Sequence, residues 1–245
     1  MSIHPAANRD RIERLHGSQP IEVNRNIFFA HGSDLQPAVL SRPPASAGGP
    51  LSALRAATRP HHDRIDALIN LRRLQERGHY RRVLQVLDAF LAAWEPAVAN
   101  ALPQRREWLH ARSRRPFLQQ DLCVIGASGG VAATIAPMPS AAAAWGSVYV
   151  IEGSALGGTM ISRSLAAAGL GPDRGAAYFH GWGEATGRMW REVRGLLETE
   201  LAHPDALAQA CAGARTTFDT LSALLEQALH EPAATFAVQG SEVLE

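Results

Sequence analysis

Two adjacent histidines, His61 and His62, stand in a stretch (54–62, LRAATRPHH) whose apolar residues recur at helical spacing. A neutral imidazole beside an apolar stripe can bind a metal such as iron through one nitrogen while the other meets an acceptor. On a helix of 3.6 residues per turn His61 falls nearer the stripe centre and His62 on its flank, so periodicity does not choose between them. Asp66, one turn past His62, is a candidate acceptor, and Asp63 a less well placed one. Much further along, residues 152–158 (EGSALGG) put Gly153 and Gly157 on one helical face, with Gly158 adjoining and Ser154 offering a hydroxyl. Each glycine costs a helix about 1 kcal/mol relative to alanine. Something must need that backbone close: another helix, or a flat cofactor lying under it. Separately, Gly126, Ser128 and Gly130 fit the G-x-S-x-G turn of serine hydrolases, whose chemistry requires a strand–turn–helix junction.

The elements that must position these residues read as helices almost throughout. The first is expected at 52–70, with Pro60 kinking it or marking a restart at Thr58 as N-cap. A second covers 79–102, carrying the stripe Tyr80, Val83, Leu84, Leu87, Phe90, Leu91 and Trp94. A short one fits 116–125, although DLCVI within it is also an isolated strand candidate. After breaks at GASGG and PMPS, a long helix spans 141–168, closed by Gly169 and Gly171. Residues 172–201 form the next, and His203-Pro204-Asp205 opens the last, with Phe218 among its inward residues. The expected class is all-α: a multihelical single domain at 51–231 behind an N-terminal extension (1–50) of linker-like composition, with a fraying tail at 232–245. NIFFA, at 26–30, has no assigned role. No alternating strand–helix pattern surrounds Ser128, which argues against the hydrolase reading.

The chain has 245 residues, 46% hydrophobic and 19% charged, with a net charge of +1. Nothing in that balance calls for a nucleic-acid partner. Cys123 and Cys211 sit on otherwise apolar segments, which fits buried thiols in a reducing cytoplasm better than a disulfide framework. The N-terminus lacks the apolar core of a signal peptide. The segment 141–161 is apolar for about one membrane span, but Glu152 at its middle argues against insertion. A cytoplasmic protein with no membrane partner is expected.

Taken together, the two main stretches resemble heme oxygenases, specifically the bacterial biliverdin-producing kind often paired with bacteriophytochromes. The first helix of that family carries a Leu-basic-x-Ala-Thr-x-x-x-His pattern, matched here by Leu54, Arg55, Ala57, Thr58 and His62. The spacing from Thr58 selects His62 over His61 as the proximal heme ligand. The bacterial distal helix carries Glu-Gly-Ser-x-Leu-Gly, matched by Glu152, Gly153, Ser154, Leu156 and Gly157. SRRPFLQQDL and YFHGWGEATGRMW are weaker matches, and the likeness covers about residues 52–230.

The resemblance implies heme, both substrate and cofactor, between the two helices, with iron on His62 and Gly153, Ser154, Gly157 and Gly158 over the opposite face. With O2 and electrons from an external donor (ferredoxin, a reductase or ascorbate), the ring would open at a meso carbon to biliverdin, CO and Fe2+. A bacteriophytochrome is an implied recipient of the bilin. Arginine suits the heme propionates, and the candidates are Arg55, Arg163, Arg188 and Arg191, whereas Arg194 reads as surface charge. Phe218 is explained equally by pocket or core. Two departures matter. Ser154 stands where mammalian-type members have an aspartate, so water or another side chain must relay protons. Pro60 lies two residues before the ligand. A non-catalytic heme- or bilin-binding protein on the same fold is the alternative.

Overall fold

The computed structural model describes residues 48–127 and 132–230. Residues 1–47, the NIFFA stretch among them, Ser128 and the tail after His230 lie outside the described residues. Eight helices follow in chain order: α1 (Pro50–Ile69), α2 (Arg77–Ala101), α3 (Arg106–His110), α4 (Arg115–Val124), α5 (Ala141–Ala167), α6 (Ala177–His180), α7 (Thr186–Glu200) and α8 (Pro204–His230). Among the described residues there is no strand. DLCVI lies in α4 and its C-terminal turn, so the strand that a nucleophile elbow requires is missing. No described helix is long and apolar enough to cross a membrane.

Local chemistry sets most boundaries. Ser140 caps α5 by accepting from the amide of Ala143 at 3.1 Å. Past its other end, Gly169 adopts φ +82° while the Leu170 amide reaches back to the Leu165 carbonyl, a Schellman-type stop. Pro60 does not interrupt α1, which runs through it. Thr58 is accordingly not an N-cap: it sits mid-helix and donates its hydroxyl to the Leu54 carbonyl at 2.7 Å.

One expected element differs. Residues 172–201 are not a single helix but the short α6, a pair of turns and then α7. Gly175 and Gly181 take φ of +86° and +58°, which breaks helical continuity on either side of α6. The break is fixed from elsewhere in the chain. Both carboxylate oxygens of fully buried Asp121, on α4, accept amide hydrogens, from Ala177 at 2.7 Å and Tyr178 at 2.8 Å. The Tyr80 hydroxyl donates to the Gly175 carbonyl at 2.6 Å.

At the centre of the packing, α5 is buried nearly all round and crosses α8 with almost no side chain between. A Cβ on Gly146 would overlap the Ala210 carbonyl, and one on Gly213 would overlap the Ala143 carbonyl. Beside this crossing the Trp94 indole donates to Ser147 Oγ at 2.6 Å, and Ser147 in turn meets Thr217 at 2.8 Å. That buried chain ties α2, α5 and α8 together. The consequence for any site is the placement of α1: both α1 and α5 pack along α8, yet they scarcely touch each other.

Two outcomes test this account. Gly213→Val should destabilise the fold by about 3 kcal/mol in urea denaturation, because the helices must separate to admit the side chain. For Asp121, burial pushes the carboxyl up to about 6 despite the two amide bonds that lower it. A raised carboxyl favours the protonated folded state, so this contribution is present at low pH and lost as pH rises through that value. The stability of wild type relative to Asp121→Asn should therefore fall by about 2 kcal/mol between pH 4 and pH 7. A difference independent of pH would contradict the assignment.

Candidate functional site

The gap between α1 and α5 is pinned at one point. Tyr149 of α5 is hydrogen-bonded to Thr58 of α1, with the Arg55 guanidinium nearby; burial pushes the phenol up and these two neighbours pull it back. The threonine thus holds the two helices in register. One turn on from Thr58 is His62, and one and two turns on from Tyr149 are Gly153 and Gly157, so all lie on the faces that this contact joins.

The two histidines are separated clearly. His61 is part-exposed and its Nδ1 lies 2.7 Å from Asp219 of α8. The His62 side chain is 8% exposed, with Nδ1 3.3 Å from Asp66 Oδ2. The Phe218 ring stands edge-on to it at 6.0 Å between centroids. Asp66 rather than exposed Asp63 is therefore the acceptor, as helical spacing favoured. With Nδ1 turned to a carboxylate, the imidazole presents Nε2 as the metal-binding nitrogen. Among the described residues no three His, Cys, Asp or Glu side chains converge on one point. A metal held by His62 must bring its remaining ligands with it, as a porphyrin does.

Across the gap, Gly153, Ser154 and Gly157 are buried in mid α5. Ser154 Oγ donates to the Ile151 carbonyl at 2.7 Å and accepts from Arg114 Nη2 at 2.7 Å. The same Arg114 nitrogen reaches the Ile151 carbonyl at 2.6 Å, and its guanidinium lies over the Tyr178 ring at 4.8 Å. Gly158 faces elsewhere: a Cβ there would come within 2.8 Å of the Phe179 carbonyl, so its smallness serves the packing of α6. Glu152, which opens the glycine motif, is held by Arg112 at 2.6 Å. Arg112 also meets Glu192 at 3.2 Å and the Met189 carbonyl at 3.0 Å, and stacks over Trp108. Of the predicted arginines, Arg55 stands beside Tyr149, whereas Arg163 on α5 and Arg188 and Arg191 on α7 are exposed. Arg163 lies fourteen residues beyond Tyr149 on the same helix, about 21 Å along its axis and so well away from Arg55.

Sequence reasoning missed Tyr149, Arg112 and Arg114. The arginines stand in a polar run, ARSRRP, that reads as surface, and only tertiary partners reveal that both are buried. Tyr149 carried a faint signal, one turn before Gly153 on the same face.

Removing Arg112 leaves the Glu152 carboxylate, 12% exposed, without its cation. Arg112→Ala should cost about 3–5 kcal/mol in chemical denaturation, and adding Glu152→Gln should restore part of that loss. Strict additivity of the two changes would contradict the pair.

No family model matches the chain. A curated protein of Xanthomonas campestris pv. campestris (strain 8004), named heme oxygenase, is 37% identical over 141 residues, which are 57% of this chain and 84% of that protein. A solved heme oxygenase from Neisseria meningitidis, in NO- and CO-bound forms, superposes with a TM-score of 0.67 over 80% of this chain and 99% of that one. At 23% identity the second likeness speaks for the all-α fold alone. Sequence identity above one third across most of a curated relative carries the assignment further: the chain belongs to the heme oxygenase family.

Proposed function

We propose that the chain opens heme to biliverdin, CO and Fe2+, using O2 and electrons from an external donor. One observation carries this reading: a buried histidine, oriented by a carboxylate, shares a gap with a helix stretch that presents glycines instead of side chains. These residues fit heme. His62 would take the iron, Gly153 and Gly157 would leave room over the opposite face, and Phe218 would pack beside the imidazole. Bound heme supplies the iron that activates dioxygen and the meso carbon that is oxidised.

The chain's own residues position and shield that chemistry. Asp66 keeps His62 in one tautomer and orientation. His62 would give the iron less electron push than a thiolate ligand, with Asp66 raising its basicity somewhat. Ser154 has its hydrogen directed at the Ile151 carbonyl, so it acts toward a neighbouring water as an acceptor. With Arg114 donating to the same oxygen, this pair orders water where mammalian-type relatives use an aspartate. Arg55 and the Tyr149 hydroxyl suit a propionate at one end of the gap, and Arg163 one at the other. Which end prevails decides the meso edge that is cut. Arg188 and Arg191 are further propionate candidates from α7.

The electron donor in this reading is a ferredoxin, a reductase or ascorbate, and the bilin passes to a bacteriophytochrome. A cytoplasmic setting agrees with a supply of reductant and with unpaired Cys123 and Cys211, which are exposed and half-buried rather than buried as their apolar segments suggested. Hemin, oxygen and reductant added to the purified chain should abolish the Soret band as a biliverdin band grows and CO is released. A Soret band that persists with ferredoxin, reductase and ascorbate alike would instead indicate a protein that only binds heme or bilin. His62→Ala should lose axial ligation and most turnover, whereas His61→Ala keeps both. Ligand-field spectra with the reverse pattern would overturn the assignment.

A further inference from the structure

On the other side of α5 lies a cavity of about 210 Å3 between α2, α3 and the turn that leads into α4. Ile151 and Glu152 bring α5 to its wall. His62, Gly153, Ser154 and Gly157 are not among the residues that line it, and Arg114 is the one side chain that lines it and also reaches Ser154. Its floor is apolar, formed by Leu91, Trp94, Val98, Ala99, Leu109 and Ile151. Its charged groups are unevenly matched. Glu152 is held by Arg112 at 2.6 Å, and Glu95 accepts from the Ser113 hydroxyl at 2.6 Å. Arg114, only 4% exposed, meets carbonyl, hydroxyl and ring, but no carboxylate among the described residues pairs with it. Arg106 adds a cation at the exposed edge, beside His110.

We infer that this cavity binds a small aromatic carboxylate, its ring against Leu91, Trp94 and Ile151 and its anionic group toward Arg114 and Arg106. A buried guanidinium without a counter-charge is costly, and an organic anion offsets that cost while an apolar pocket holds its ring. The size agrees. A dry cavity of about 150 Å3 accepts benzene, so this larger one accommodates a ring with a carboxymethyl arm. Nothing in this inference depends on heme chemistry.

The probe is phenylacetate, titrated calorimetrically into the full chain with and without hemin, against its uncharged amide. Phenylacetate should bind one to one, with phenylacetamide about tenfold weaker or worse. Arg106→Ala, a change at an exposed position, should weaken phenylacetate about threefold. Ala99→Phe, which fills the floor, should abolish binding while circular dichroism shows the fold retained; should that variant not fold, Ala99→Leu takes its place. Hemin should leave the affinity unchanged. Absence of binding, equal affinity for acid and amide, full affinity in the filled variant, or competition by hemin would each overturn the site. Failure of the chain to take up hemin, with phenylacetate still bound, would instead count against the heme reading alone.

Discussion

The contact of α5 with α8 at Gly146 and Gly213 is the constraint on which the rest depends. Backbone meets backbone there, and the Trp94–Ser147–Thr217 chain fixes the crossing laterally. Because α1 lies along the same α8, its distance from α5 follows from this crossing rather than from any packing between the two. Thr58 and Tyr149 bridge the interval, with Arg55 beside them. Small residues therefore play two parts along one face of α5: Gly146 brings the supporting helix in, while Gly153 and Gly157, two and three turns further on, place no side chain there.

Around that gap, polar groups hold the helices more than they fill the space. Arg112 clamps Glu152 to α7 through Glu192 and the Met189 carbonyl. Arg114 grips α5 where the Ile151 carbonyl and Ser154 meet. Asp121 secures the turn whose Phe179 carbonyl abuts Gly158. Each is a buried charge with specific partners, costly to strand and so effective at enforcing one arrangement. Buried groups of this kind suit a site in which a ring must be placed to within a fraction of its width.

Much of the fold was legible because its signals are local. The stripe of α2, the glycine stop after α5 and the proline opening of α8 each lie within a few residues of the boundary they set. Where the sequence misled, the deciding interaction came from elsewhere in the chain. Residues 172–201 break because Asp121 and Tyr80 hold the turn, and no periodicity records that. Thr58 looked like a cap beside Pro60, yet its hydroxyl meets the Leu54 carbonyl of its own helix and Tyr149 of another. Gly158 read as part of a cofactor roof, and only the position of α6 shows what it abuts. The order and spacing of the two main motifs were visible from the outset, and so was the preference for Asp66. The burial of Arg112 and Arg114 was not, since a charge is buried only by partners that the fold assembles.

A crystal structure of the hemin complex tests the central claim most directly. The account predicts iron bonded to His62 Nε2, with the ring in the gap between α1 and α5 and the Gly153–Gly157 backbone over its far face. Iron on His61, or hemin seated outside that gap while His62 stays against Asp66, would contradict it.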